Sequence, residues 1–170
     1  GLAAAHAAGV VHRDVKPQNV LVTRKGLPRL IDFGLAREPG KVSGLTVEGT
    51  MLGTPEYMSP EQVEGKAIDA RTDVYSLGVT FYQLVTGKLP FQGENSMQMA
   101  MARVKSEPRD LQNAFPAADP RAAPLIAKMM MREPAERYAS MDEVIADIDK
   151  ALGGKGAGYV PPKMATGVVP

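Results

Sequence analysis

Four side chains near the start of the chain are of types that handle phosphate and divalent cations. Asp14, Lys16 and Asn19 lie within His12-Arg13-Asp14-Val15-Lys16-Pro17-Gln18-Asn19, and Asp32 opens Asp32-Phe33-Gly34 after two short apolar runs. One loop therefore offers a carboxylate, an ammonium and an amide, and a second carboxylate follows. Carboxylate and amide oxygens are hard donors of the kind Mg²⁺ takes, and an ammonium balances phosphate charge. Taken singly, each residue has a plainer reading. Asp14 is a turn aspartate bonding nearby amides, Lys16 a solvated surface lysine, Phe33 a core aromatic and Leu21 an ordinary strand residue. Together they describe a site for two cations and a phosphate.

The elements that must position this loop can be read in order. Residues 2–8 are helix formers stopped by Gly9, and Val10-Val11 is a short extended run leading into the loop. Val20-Leu21-Val22-Thr23 leaves it, the Arg24-Lys25-Gly26 turn follows, and Arg29-Leu30-Ile31 returns, so two antiparallel strands would bring Asn19 and Asp32 together. Residues 35–58 hold neither period and read as a long functional loop. From Asp69 to Thr86, Val74, Tyr75, Leu77, Val79, Phe81, Tyr82, Leu84 and Val85 cover most of a helix's circumference, which predicts a buried helix stopped by Gly87. Asn95 caps a helix with an apolar stripe of Met97, Met101 and Val104. Asp119-Pro120 opens another, leading into Leu125, Ile126, Met129 and Met130. Ser140-Met141-Asp142-Glu143 spells a capping box before a helix that buries Val144, Ile145, Ile148 and Leu152. Residues 1–152 thus form one mainly α unit with a small β element, and 153–170, rich in glycine and proline, a flexible tail or linker.

Composition narrows the partners. The 170 residues are 44% hydrophobic and 23% charged with net charge +1, an ordinary globular balance without a basic run for nucleic acid or an anionic membrane. Cysteine is absent, which excludes disulfides and thiolate metal sites. No apolar run is long enough to span a bilayer, so no membrane segment is expected within the chain, and the cytoplasm is the default compartment.

The loop matches the pattern His-Arg-Asp-Leu-x-x-x-Asn, with Val15 where Leu is usual, and is followed by Asp-Phe-Gly. Gly53-Thr54-Pro55-Glu56-Tyr57-Met58-Ser59-Pro60-Glu61 resembles a peptide-positioning loop closed by Ala-Pro-Glu, with Ser59 in place of Ala. By these motifs the chain resembles the large, C-terminal lobe of the eukaryotic-type serine/threonine protein kinases, and its Ala- and Met-rich composition resembles the bacterial members. The resemblance implies transfer of the ATP γ-phosphate to Ser or Thr hydroxyls of protein substrates. Asp14 would be the catalytic base, and Lys16 would neutralise the moving phosphoryl group. Thr54 would bridge both, while Asn19 and Asp32 would hold Mg²⁺, or Mn²⁺ as the alternative, against the ATP phosphates. Leu21 would floor the adenine. His12, Phe33 and Gly34 would be structural, Phe33 packing beside His12. Glu61 would pair with Arg137, and Asp73 would hold the backbone of His12 and Arg13.

Regulation and limits follow from the same resemblance. Arg13 beside a catalytic aspartate implies control by a phosphate on the loop, with Thr50 favoured and Thr46 and Ser43 behind it. Gln18 and Gln83 stand where Arg-directed kinases carry glutamates, so no arginine preference is expected. The glycine-rich loop, strand lysine and helix glutamate of a small lobe cannot be placed, and the glycines of 153–158 follow a helix instead of opening a nucleotide site. The expectation is a piece of a longer kinase, the N-lobe being a missing partner, nearly inactive alone. The parent would be cytoplasmic or the cytoplasmic part of a membrane-anchored kinase. The alternative is a non-catalytic, truncated kinase-like binding module.

Overall fold

A computed structural model describes residues 1–33 and 54–153. The expectations placed on Gly34, Ser43, Thr46, Thr50, Gly53 and the 154–170 tail therefore lie outside the described residues. Among the described residues the fold is mainly helical with one small sheet. Helix α1 (Leu2–Ala7) ends at Gly9, whose φ of +73° favours glycine. A 3₁₀ turn over Pro17–Asn19 closes the loop, and β1 (Val20–Val22) pairs antiparallel with β2 (Pro28–Leu30) in the register Val20 to Leu30. After a second 3₁₀ turn at Pro55–Tyr57 come α2 (Pro60–Val63), α3 (Ala70–Thr86), α4 (Ser96–Lys105), α5 (Leu111–Ala114), α6 (Ala122–Met129) and α7 (Met141–Ala151).

Helix α3 is the axis of the molecule. Asp69 caps it by accepting the Arg71 amide at 2.7 Å, and Gly87 ends it at φ +70°. Its Tyr75, Val79 and Tyr82 pack with Phe91, Leu111, Ile126 and Met130, while Val74 faces Met129, Tyr138, Met141 and Val144 on the other flank. The approach to α6 is close: a Cβ on Gly78 would lie 2.8 Å from the Met129 Cβ. The helix is buried, but its buried surface is not apolar all round. Thr72, Asp73, Ser76 and Thr80 are buried too: Asp73 and Thr80 reach the 12–19 loop, Thr72 reaches Glu61, and Ser76 reaches the Tyr57 carbonyl, while Leu84 is exposed.

Three local expectations shift. In α4, capped by Asn95 through the Gln98 amide, Met97 and Met101 face solvent and the buried positions are Ala100 and Arg103. The reason is a polar docking partner for Arg103 that no apolar count anticipates. Helix α6 starts two residues after Pro120, because the Asp119 carboxylate accepts the Arg121 amide and completes a turn first. In α7 the Ser140 hydroxyl accepts the Glu143 amide, but the Glu143 carboxylate reaches the Ala139 amide instead of that of Ser140; Val144 is buried, while Ile145 and Leu152 are exposed.

Candidate active site

The loop from His12 to Asn19 is hung from α3. The Asp73 carboxylate accepts the amides of His12 and Arg13, both at 2.8 Å, one on each oxygen, and the His6 ring bonds the same carboxylate at 2.8 Å. Those bonds hold Arg13 at φ +72°, a left-handed backbone that a non-glycine residue adopts at a cost of about 1–3 kcal/mol unless its surroundings fix it. Gln62, on α2, secures the other side by donating Nε2 to the Arg13 carbonyl at 3.0 Å. The His12 ring accepts the Asp14 amide on Nδ1 and bonds the Ile31 carbonyl through Nε2, which is the Nε2–H tautomer. Phe33 meets that ring edge-on at 4.6 Å.

Four of the candidate polar residues converge. Lys16 Nζ lies 2.6 Å from Asp14 Oδ2 and donates to Thr54 Oγ1 at 2.5 Å. The Thr54 amide donates to Asp14 Oδ1 at 3.2 Å, and Asn19 Nδ2 donates to the Asp14 carbonyl at 2.9 Å and to its Oδ2 at 3.3 Å. Burial pushes the Asp14 carboxyl up, but the Lys16 and Thr54 hydrogen bonds and the Lys16 charge outweigh it and leave its pKa below the ordinary value. The carboxylate is thus kept ionised.

Asp32 is exposed, at φ +61°, and its neighbour Ile31 donates its amide to the Asn19 carbonyl at 2.9 Å. Leu21 points away from the core and is 54% exposed. Among the described residues no cluster of three His, Cys, Asp or Glu side chains could hold a metal. The donor set of one amide and one carboxylate still fits Mg²⁺. Both Asn19 N–H donors are spent on Asp14, so its carbonyl oxygen is the group left to ligate.

The family description "Protein kinase domain" matches residues 1–147. The chain belongs to the protein kinase family. It is 41% identical over 155 residues to a "probable serine/threonine-protein kinase" of Streptomyces coelicolor, covering 90% of this chain and 23% of that protein. It is 43% identical over 149 residues to the serine/threonine-protein kinase PknL of Mycobacterium tuberculosis, covering 88% of this chain and 37% of PknL. Against the "probable serine/threonine-protein kinase PknB" of Corynebacterium glutamicum, identity is 38% over 154 residues, 88% of this chain and 24% of the relative. The kinase chain therefore spans well under half the length of these relatives.

Further from the centre, the kinase fold is tied by an ion pair. Arg137 meets Glu61 with two parallel bonds of 2.8 and 2.7 Å and gives its remaining donors to the carbonyls of Met131, Arg71 and Arg132. All five N–H groups of the guanidinium are used. Thr72 donates to Glu61 Oε1 at 2.8 Å, and the Arg137 guanidinium lies 4.9 Å over the Tyr75 ring. Arg13 is buried, and the threonines and serine expected to answer it lie outside the described residues.

Several contributors escaped the sequence reading. Ser59 and Gln62 form a capping box on α2, for which Ser-x-x-Gln was a legible signal. His6 and Arg103 had none, since their partners are distant in the chain. Ser76 and Tyr57 likewise meet only in three dimensions, the Ser76 hydroxyl donating to the Tyr57 carbonyl at 2.8 Å.

Proposed function

We propose that the protein containing this chain transfers the γ-phosphoryl group of ATP to Ser or Thr hydroxyls of proteins, and that residues 1–152 supply the large lobe of its kinase domain. The observation that carries this reading is the Asp14 carboxylate, met on Oδ1 by the Thr54 amide and on Oδ2 by Lys16 and Asn19. Two segments that are 40 residues apart, measured from Asp14 to Thr54, build one polar centre. A carboxylate held ionised beside a substrate hydroxyl accepts its proton as the oxygen attacks. Lys16, already spanning Asp14 and Thr54, places a positive charge where the phosphoryl group passes. Thr54 holds both in register, so the acceptor hydroxyl and the base share one frame. Asn19 and Asp32 would hold Mg²⁺, or Mn²⁺ in its place, which when bound neutralises charge on the ATP phosphates. Leu21 floors the adenine. Arg13 answers a phosphate on Thr50, or on Thr46 or Ser43, and the site works in the cytoplasm.

The test is phosphate transfer from radiolabelled ATP to Ser and Thr peptides by the full-length protein, comparing wild type with Asp14→Asn. Wild type transfers label, and the variant loses turnover by roughly 10²–10⁴-fold with its melting temperature preserved. A folded wild type that transfers nothing in ATP and Mg²⁺, or an Asp14→Asn variant of undiminished turnover, overturns the reading.

A further inference from the structure

Arg103 is the largest of the fully buried side chains, at 2% exposure, and it sits on a helix whose methionines face solvent. A buried guanidinium is costly unless its donors are met. Here each terminal nitrogen meets one backbone carbonyl, while the buried Nε has no hydrogen-bond partner among the described residues. One terminal nitrogen donates to the Met58 carbonyl, the other to the Glu56 carbonyl at 2.9 Å, and the Phe91 ring lies 5.5 Å away under the charge. Ser96, at the start of the same helix, donates to the Glu56 carboxylate at 2.5 Å. Helix α4 therefore grips both main chain and side chain of the 55–58 segment. The other end of that segment is Thr54, whose amide and hydroxyl lie on Asp14 and Lys16. Nothing about local fold stability requires a charge to be buried there, since an apolar residue would seal the same space more cheaply. A forked donor aimed at two carbonyls sets the path of a segment.

We infer that Arg103 is a positioning residue for the acceptor: through the Glu56 and Met58 carbonyls, and with Ser96 on Glu56, it fixes the 54–58 segment against which the Ser/Thr peptide aligns. This rests on the proposed phosphotransfer. Its mark is selectivity between substrates, because in the proposed reaction the peptide aligns on this segment while Asn19, Leu21 and Asp32 serve ATP and its metal.

In the full-length protein, Arg103→Met raises KM for a Ser/Thr peptide by about tenfold or more and leaves KM for ATP within about twofold, the loss expected for charge-assisted hydrogen bonds. Arg103→Lys, with the charge but no fork, falls between. Ser96→Ala, at the rim of the contact, raises peptide KM by roughly threefold. Amide hydrogen exchange read on the same proteins quickens at residues 54–58 in Arg103→Met. Should Arg103→Met fail to fold, as its melt would reveal, Ser96→Ala and Glu56→Gln decide by the same two readouts. Unchanged exchange at 54–58 in the folded variants, or KM for ATP and peptide rising together, overturns the inference. A wild type that transfers no phosphate while 54–58 still loosen in the variants overturns the phosphotransfer reading and leaves the positioning contact standing.

Discussion

Residues 12–19 rest on α3 and α2 through buried polar contacts, whereas the β1–β2 hairpin that follows directly rests on its own short ladder. The loop is met from below by Asp73 and from the side by Gln62. The hairpin has three-residue strands and turns Leu21, Val22 and Leu27 outward. A two-stranded hairpin has marginal stability of its own. The difference assigns distinct tasks. Asp14 and its neighbours are held in one geometry, left-handed backbone at Arg13 included, while the surface beyond Asn19 is exposed. Changes beneath the loop should therefore register as stability, and changes on the hairpin as binding alone.

The sharpest way to break that contrast is to remove its main support. Asp73→Ala leaves two buried amides and an imidazole without their acceptor. At about 1–3 kcal/mol for each unsatisfied group, the loss is roughly 3–9 kcal/mol in urea unfolding followed by circular dichroism. Turnover should fall as well, since Arg13 loses what holds its backbone. A cost under about 1 kcal/mol would mean that the loop keeps its shape without α3.

The second support is α2, which carries Gln62 to the loop and Glu61 to Arg137. Arg137→Met strands a buried carboxylate and costs about 3–5 kcal/mol, and a double-mutant cycle with Glu61→Gln should show strong coupling. Acid provides an independent reading. Burial raises the Glu61 pKa, but the Arg137 hydrogen bonds and charge, with Thr72, bring it below the ordinary 4.5. The pair's stabilisation is therefore complete above that value and fades as pH falls through the lower, folded one. Wild type should lose stability over that acid window, and the Arg137→Met variant should show a flatter profile there.

A smaller effect is expected where α3 itself is seated. Gly78→Ala places a methyl 2.8 Å from the Met129 Cβ and 2.9 Å from the Met130 Cγ. Overpacking of this sort costs about 1–3 kcal/mol. Because α3 bears Asp73, the displacement should also quicken hydrogen exchange of the His12 and Arg13 amides; exchange unchanged there would mean that helix packing and loop geometry are independent.

What could be read beforehand follows the same division between local and distant contacts. The apolar run of α3 and its Gly87 stop are local signals; the sequence predicts a helix from Asp69 to Thr86, and the helix spans Ala70–Thr86 with Asp69 as its cap. The loop motif was legible because its spacing is short. The face of α4 was not. Met97 and Met101 make a regular stripe, yet the helix turns Arg103 inward, because the carbonyls it meets are 45 and 47 residues away. The same holds for Ile145, which shares the period of Val144 and Ile148 but falls just past the edge of the buried arc. Periodicity reports that a face exists, and long-range polar pairing decides which one it is.

The hairpin provides the mildest prediction and the other half of the contrast. Leu21 is more than half exposed, so Leu21→Ala should change unfolding free energy by no more than about 0.5 kcal/mol. If the nucleotide covers this side chain, as the phosphotransfer reading holds, the lost apolar contact should raise KM for ATP by up to about tenfold, with peptide KM unmoved. That pattern is the converse of Arg103→Met, which moves the peptide and spares ATP. Finding Leu21→Ala costly to stability would show that the hairpin is part of the framework, and the distinction between a braced loop and an open surface would have to be redrawn at β1.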